Sequence, residues 1–185
     1  MTGAQTPVKL PGRRFKVLAN SFRKEVDFMN YAILLKTVID ANGKTNSVEK
    51  VPMMEVFPTI SLESMYKLCE CELVDIKDMP LQLVEFDGEL GIIQAVTMVF
   101  DEEFLLKHEN PVANELASAI YGYGRLHDQC LCGNVLLCYT NEEGDCMPFS
   151  ESEANAVVKC LARINEHIGD MEFKVQKPMM KFMTF

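Results

Sequence analysis

Two groups of sulfur and nitrogen donors stand out in the chain, Cys69-x-Cys71 and His127-x-x-Cys130-x-Cys132. Zinc takes four such ligands in a tetrahedron, so these residues could in principle supply a site. The spacing argues against it. Zinc knuckles separate paired cysteines by roughly two to four residues so that both thiolates converge, whereas C-x-C on a strand sets two thiols on one face. Cys69 also falls in the apolar stripe of a short helix, and Cys132 and Cys138 fall in a strand that is apolar on both sides. Free cysteine is a common small core residue. Packing is therefore the expected role, with a zinc- or thiol-dependent enzyme using Cys69, Cys71, His127, Cys130 and Cys132 as the alternative.

Other chemistries find less support. A cysteine or serine nucleophile needs a base, and only His108, His127 and His167 are present, with no elbow motif around any Cys or Ser. Gly122-Tyr123-Gly124-Arg125 follows a helix instead of preceding one. A phosphate cradle needs the free N–H groups of a helix start, so these glycines are expected to end the helix. Glu70, Glu72, Asp75, Asp101, Glu102, Glu103, Glu142, Glu143 and Asp145 form neither a calcium loop nor a helical carboxylate–histidine pair. Glu142-Glu143-Gly144-Asp145 reads as a solvated turn. No catalytic residue and no cofactor are expected.

Charge is informative when divided along the chain. Residues 1–50 hold nine Lys/Arg and four Asp/Glu, residues 51–170 hold six and 22, and residues 171–185 hold three and one, giving a net charge of −9. An acidic middle repels phosphates, because nucleic-acid binding relies on Lys/Arg displacing counterions. It attracts a basic protein surface. Nucleic acid is thus not an expected partner, although Arg13, Arg14, Lys16, Arg23 and Lys24 with Phe15 and Phe22 carry the chemistry for it. Arg13 and Arg14 suit an acidic neighbour equally well, this protein's own middle included.

The elements that would position these groups are legible from periodicity. Phe15–Ala19 is a short candidate strand. Tyr31–Ile39 is a stronger one and runs into Asp40-Ala41-Asn42-Gly43, where Asn-Gly suits a tight hairpin. Val48–Val56 is the expected return strand, with Pro52 marking a sheet edge. Leu62, Met65, Tyr66 and Cys69 then lie on one face of a helix, which Thr59 or Ser61 can cap. Leu73–Ile76 reads as a strand, and Gln82–Phe86 with Leu90–Val96 as a second hairpin around Asp87-Gly88. Asn110-Pro111 marks a helix start, with Val112, Leu116, Ala119, Ile120 and Tyr123 as the buried stripe. Leu131–Tyr139 is an expected central strand and Asn141–Asp145 a turn. Ser150 and Glu153 form a capping box, and Ala154, Val157, Val158, Leu161, Asn165 and Ile168 make the stripe of the last helix, which Gly169 stops.

These elements specify an α+β fold, a mainly antiparallel sheet with two main helices packed on one face. At 185 residues, the chain has room for one full core. The expected organisation is a flexible leader over 1–12 and a single domain over 13–170, in which 13–58 form a strand and hairpin part and 59–170 the remainder. A tail over 171–185 completes it. Phe173, Val175, Met179, Met180, Phe182, Met183 and Phe185 give that tail too much apolar surface for a solvated end, so it is expected to anchor on a partner or on its own domain. No apolar run approaches the ~18 residues of a membrane span, and residues 1–10 lack the apolar core of a secretory signal. With seven cysteines, an odd number, the expectation is reduced thiols and a cytoplasmic address, the host cytoplasm if the protein is viral.

The segments SLESMYKLCECELVDI, LVEFDGELG, HENPVANELA and CGNVLLCYTNEEGD, followed by a capped helix, resemble a small family of unknown function found chiefly in bacteriophages, plasmids and viruses. The likeness covers roughly residues 60–164. It departs at the end of the first helix, where that family carries glycines and this chain has Cys69-Glu70-Cys71. The resemblance implies a viral or mobile-element accessory protein and brings no catalytic residue with it. The reading that follows is a non-enzymatic protein-binding or regulatory module, or a subunit of a larger assembly, working through a protein partner or self-association and without a membrane.

Overall fold

The computed structural model describes residues 29–40, 43–53, 59–79, 96–107, 111–168 and 172–174. They form six strands and four helices in the order β1 (Asn30–Asp40), β2 (Gly43–Met53), α1 (Leu62–Cys69), β3 (Val74–Met79), β4 (Val96–Asp101), α2 (Phe104–Lys107), α3 (Glu115–Tyr121), β5 (Val135–Thr140), β6 (Cys146–Met147) and α4 (Glu151–His167). The strands build one antiparallel sheet in the order β2-β1-β5-β4-β3, with the short β6 added to the end of β5. The fold is α+β, as expected.

The sheet is covered on both faces. On β1, Ile33 and Leu35 enter one apolar cluster while Ala32 and Leu34 enter another. Val135 and Leu137 alternate in the same way with Leu136 and Cys138 on β5. The first cluster receives Leu116, Ala117 and Ile120 of α3 with Ala154, Val157 and Leu161 of α4. These are the two helices expected on one face. The second cluster receives Met65 and Cys69 of α1, so the shortest predicted helix closes the opposite face. Burial on both sides explains why β1 and β5 read as continuous apolar runs.

Several local expectations match. The β1–β2 register closes Asp40 onto Gly43, and β2, with the exposed Pro52, is an edge strand. Ser61 caps α1 by accepting the N–H of Ser64, and Ser150 with Glu153 completes the capping box of α4. Gly122, at φ 94°, ends α3 with its N–H on the carbonyls of Ser118 and Ala119. Asn141 Oδ1 accepts the N–H groups of Glu143 and Asp145, which fixes the predicted turn.

Other expectations are corrected. Helix α3 begins at Glu115, not Pro111, because Asn114 is its N-cap and Ala113 still bridges Cys132 in extended form. Val112 and Leu62, assigned to buried stripes, are exposed, and so is Asn165. Strand β2 starts five residues before Val48, its polar GKTNS segment being carried by the pairing of Lys36–Asp40. Strand β4 has all six residues buried and extends beyond the Val96 at which the second hairpin was expected to end. Phe15–Ala19 and residues 82–95 lie outside the described residues.

Candidate functional site

Strand β3 pairs with β4 so that Asp75 stands directly beside Phe100. Asp75 and Phe100, with Glu102 and Phe104 just beyond β4, line a cleft of about 460 Å³ together with Tyr121, Leu126, His127, Asp128, Gln129 and Leu131. Part of this lining is built by a tight loop. The N–H of Leu126 returns to the carbonyl of Gly122 at 2.8 Å, and the N–H of Gly124 reaches the carbonyl of His127 at 2.8 Å. Leu126 folds over Gly122 so closely that a Cβ there would meet its Cδ1 at 3.0 Å. Glycine is needed at 122 both for that approach and for its positive φ.

The loop lays the His127 ring on Tyr121, with centroids 3.9 Å apart and planes 15° from parallel. Phe100 meets the Tyr121 ring edge-on at 5.8 Å. The lining therefore combines aromatic rings with the carboxylates of Asp75, Glu102 and Asp128. Lys77, on the same side of β3, holds its ammonium 3.0 Å from Asp75 Oδ2, and that carboxylate raises the lysine pKa by hydrogen bonding and charge. An alkylammonium group thus already rests against one of the three acids, within the protein itself.

The five proposed metal ligands are not brought to one point. Cys69 and Cys71 pack with the α1 cluster, while Cys132 lies in the α3–α4 cluster on the other face of the sheet. His127 lines the cleft, and Cys130 is buried with its Sγ donating to the carbonyl of Lys174 at 3.3 Å. Among the described residues, no three His, Cys, Asp or Glu side chains are grouped to hold a metal ion. Burial pushes the Cys69 and Cys132 thiols up to about 12 and raises Cys130 as well. A thiolate nucleophile requires a shift in the opposite direction.

Of the predicted partner-binding residues, Phe173 is half-buried and stacks on Tyr123 at 5.3 Å, and the N–H of Lys174 donates to the Tyr123 hydroxyl at 3.1 Å. The first residues of the tail thus pack on their own domain. Val175, Met179, Met180, Phe182, Met183, Phe185, Arg13 and Arg14 lie outside the described residues.

Asp75 and Glu102 were visible in the sequence only as scattered acids. Their grouping with Tyr121 and Phe100 comes from strand register and loop closure, which no local spacing encodes. The thiol pair Cys138 and Cys146 was likewise not visible. Each is buried in the apolar cluster on the α1 face of the sheet. Among the described residues, no helix is long and apolar enough to cross a membrane. No protein-family model, no curated protein and no solved structure matches this chain.

Proposed function

We propose that the chain is a non-enzymatic protein-binding or regulatory module whose cleft receives a basic segment of a partner protein. The observation that carries this reading is that Asp75, Glu102 and Asp128 line one cleft with the aromatic residues Phe100, Phe104 and Tyr121. A lysine or arginine side chain offers a long apolar stem and a cationic tip. The stem suits the aromatic residues and the tip suits the carboxylates, and a guanidinium gains further from an aromatic face. The −16 balance of residues 51–170 adds long-range attraction for the same class of partner.

The resemblance to the phage, plasmid and viral family fits an accessory protein that occupies a basic site on a host protein in the cytoplasm. A subunit of a larger assembly, joined through the tail, uses the same surface logic. Titration of the isotopically labelled protein with an arginine- and lysine-rich peptide tests the reading. Resonances of Phe100, Tyr121 and His127 should shift, an acidic peptide of equal length should leave them unmoved, and Glu102→Gln with Asp128→Asn should weaken binding about tenfold. Shifts confined to other surfaces would refute the cleft. One zinc per chain, lost on Cys130→Ser, would promote the enzyme reading instead.

A further inference from the structure

Tyr121 is held by two aromatic contacts, the near-parallel His127 ring with centroids 3.9 Å apart and Phe100 at 5.8 Å with planes inclined by 71°. The imidazole is fixed from the backbone as well, because the N–H of Gly124 donates to the carbonyl of His127 at 2.8 Å. All three rings line the cleft, and His127 is half-buried, so ring surface remains for a ligand. A flat stack set in place before binding suits a flat ligand group. It loses little freedom when that group arrives.

The acids of the cleft narrow the choice of ligand further. Asp75 and Lys77 are two apart on β3 and share a face, and the lysine ammonium stands 3.0 Å from Asp75 Oδ2. A lysine from a partner brings the same group and has to replace the one already in place. An arginine brings something different. Its guanidinium is planar, carries five N–H donors in a fixed fork and stacks on aromatic faces.

We infer that the cleft is an arginine site that discriminates against lysine, with His127 as the platform on which the guanidinium stacks and Lys77 as an internal competitor. The inference rests on the reading of the cleft as the site of a basic segment and names which basic residue it takes. The carboxylates of Glu102 and Asp128, in the same lining, accept N–H groups of the fork. A lysine gains charge attraction from these acids but neither the stack nor the fork. The contact of Lys77 with Asp75, whose side chains are 48% and 33% exposed, is of the weak surface kind. It therefore sets a preference and does not close the cleft.

The test titrates the full-length protein, at about pH 8 where histidine side chains are ordinarily neutral. The probes are a pair of Gly/Ser peptides of equal length that carry arginines or lysines at the same positions. The arginine peptide should bind about five- to tenfold more tightly, the scale of a cation on a partly exposed aromatic face, and should shift the Tyr121 and His127 resonances most. His127→Ala should erase the preference, and His127→Phe, which restores a flat ring, should recover it. Lys77→Met should tighten the lysine peptide more than the arginine peptide. Lys159→Met, the same charge change on α4, should leave their ratio where it was. Equal affinities with shifts at the cleft, a preference that survives His127→Ala, or a ratio untouched by Lys77→Met would each overturn the inference and leave the basic-segment reading standing. Binding of neither peptide at the cleft would remove that reading and the inference together. The wild-type comparison decides alone if the His127 variants do not fold.

Discussion

The side-chain amide of Asn114 donates to the carbonyl of Leu35, 3.1 Å away on β1, and so ties the start of α3 to the middle of the sheet. Its second N–H reaches the carbonyl of Gly133 at 2.9 Å, and its Oδ1 accepts the N–H of Ala117 at 3.1 Å. Ser118 completes the corner, donating to the carbonyl of Asn114 at 2.7 Å and accepting the N–H of Leu131 at 2.9 Å. Both residues are fully buried. One amide thereby caps a helix, joins it to a strand and holds the segment that leads from the cleft loop into β5.

Asn114→Ala should lower stability by about 2–4 kcal/mol. Loss of the cap contributes roughly 1 kcal/mol, and the carbonyls left without a donor in the interior add about 1–3 kcal/mol. Asn114→Asp keeps the cap acceptor but faces a carboxylate toward two carbonyls, so it should destabilise despite its near-identical shape. Urea unfolding checks both, with the midpoint falling and the slope unchanged. A loss below about 1 kcal/mol for Asn114→Ala would mean that the corner is held mainly by packing.

Glu70 caps α1 with φ 56° and ψ 43°, the left-handed conformation that glycine adopts without a Cβ penalty. Glu70→Gly should therefore stabilise the protein by about 1 kcal/mol. Glu70→Ala, which keeps the Cβ, should not. Thermal unfolding of the two variants side by side separates backbone strain from loss of the carboxylate. Equal behaviour of the two would remove the strain argument.

Much of the fold was legible because local and tertiary requirements agree. Ser150 and Glu153 make a capping box from purely local contacts, and the apolar runs at the centre of β1 and β5 match strands buried on both faces. Legibility fails where a tertiary partner outbids the local signal. Asn110-Pro111 has the form of a helix start, yet Asn114 takes the cap because Leu35 and Gly133 stand ready for its amide. Thr97 and Asp101 interrupt the apolar run of β4, and burial of Thr97 follows only once Asp78 and Thr140 are beside it. Among the candidate site residues, His127 and Cys132 are five apart in sequence but part company. The loop lays His127 on Tyr121, while the bridge to Ala113 leads Cys132 into the core.

The stack of Phe173 on Tyr123 docks the beginning of the tail on its own domain. Phe173→Ala should cost about 0.5–1.5 kcal/mol beyond the apolar area it buries, with partner or self-association retained. Deletion of residues 175–185 should do the reverse, leaving stability intact and weakening association if those residues anchor a partner. Sedimentation and unfolding of both variants give the comparison. An unchanged oligomeric state together with unchanged partner capture after the deletion would end the anchor idea.

Alkaline pH should unfold this protein through its buried thiols. Burial raises Cys69 and Cys132 from 9.0 to about 12, so in the folded state each keeps its proton where the unfolded chain has lost it. Their contribution is complete below pH 9 and is lost as pH rises toward 12, because above 9 the unfolded state binds fewer protons. Each thiol should then remove about 1.4 kcal/mol of stability per pH unit in that window. Lysine and tyrosine side chains also titrate there, so the comparison that isolates the thiols is with Cys69→Ala and Cys132→Ala. Both variants should be less stable than wild type at pH 7, since each leaves a small void. Their urea midpoints should nonetheless decline less steeply between pH 9 and 10.5. Parallel decline in wild type and variants would show that Cys69 and Cys132 ionise in the folded protein as readily as in the unfolded one, contrary to the burial that places them in the core.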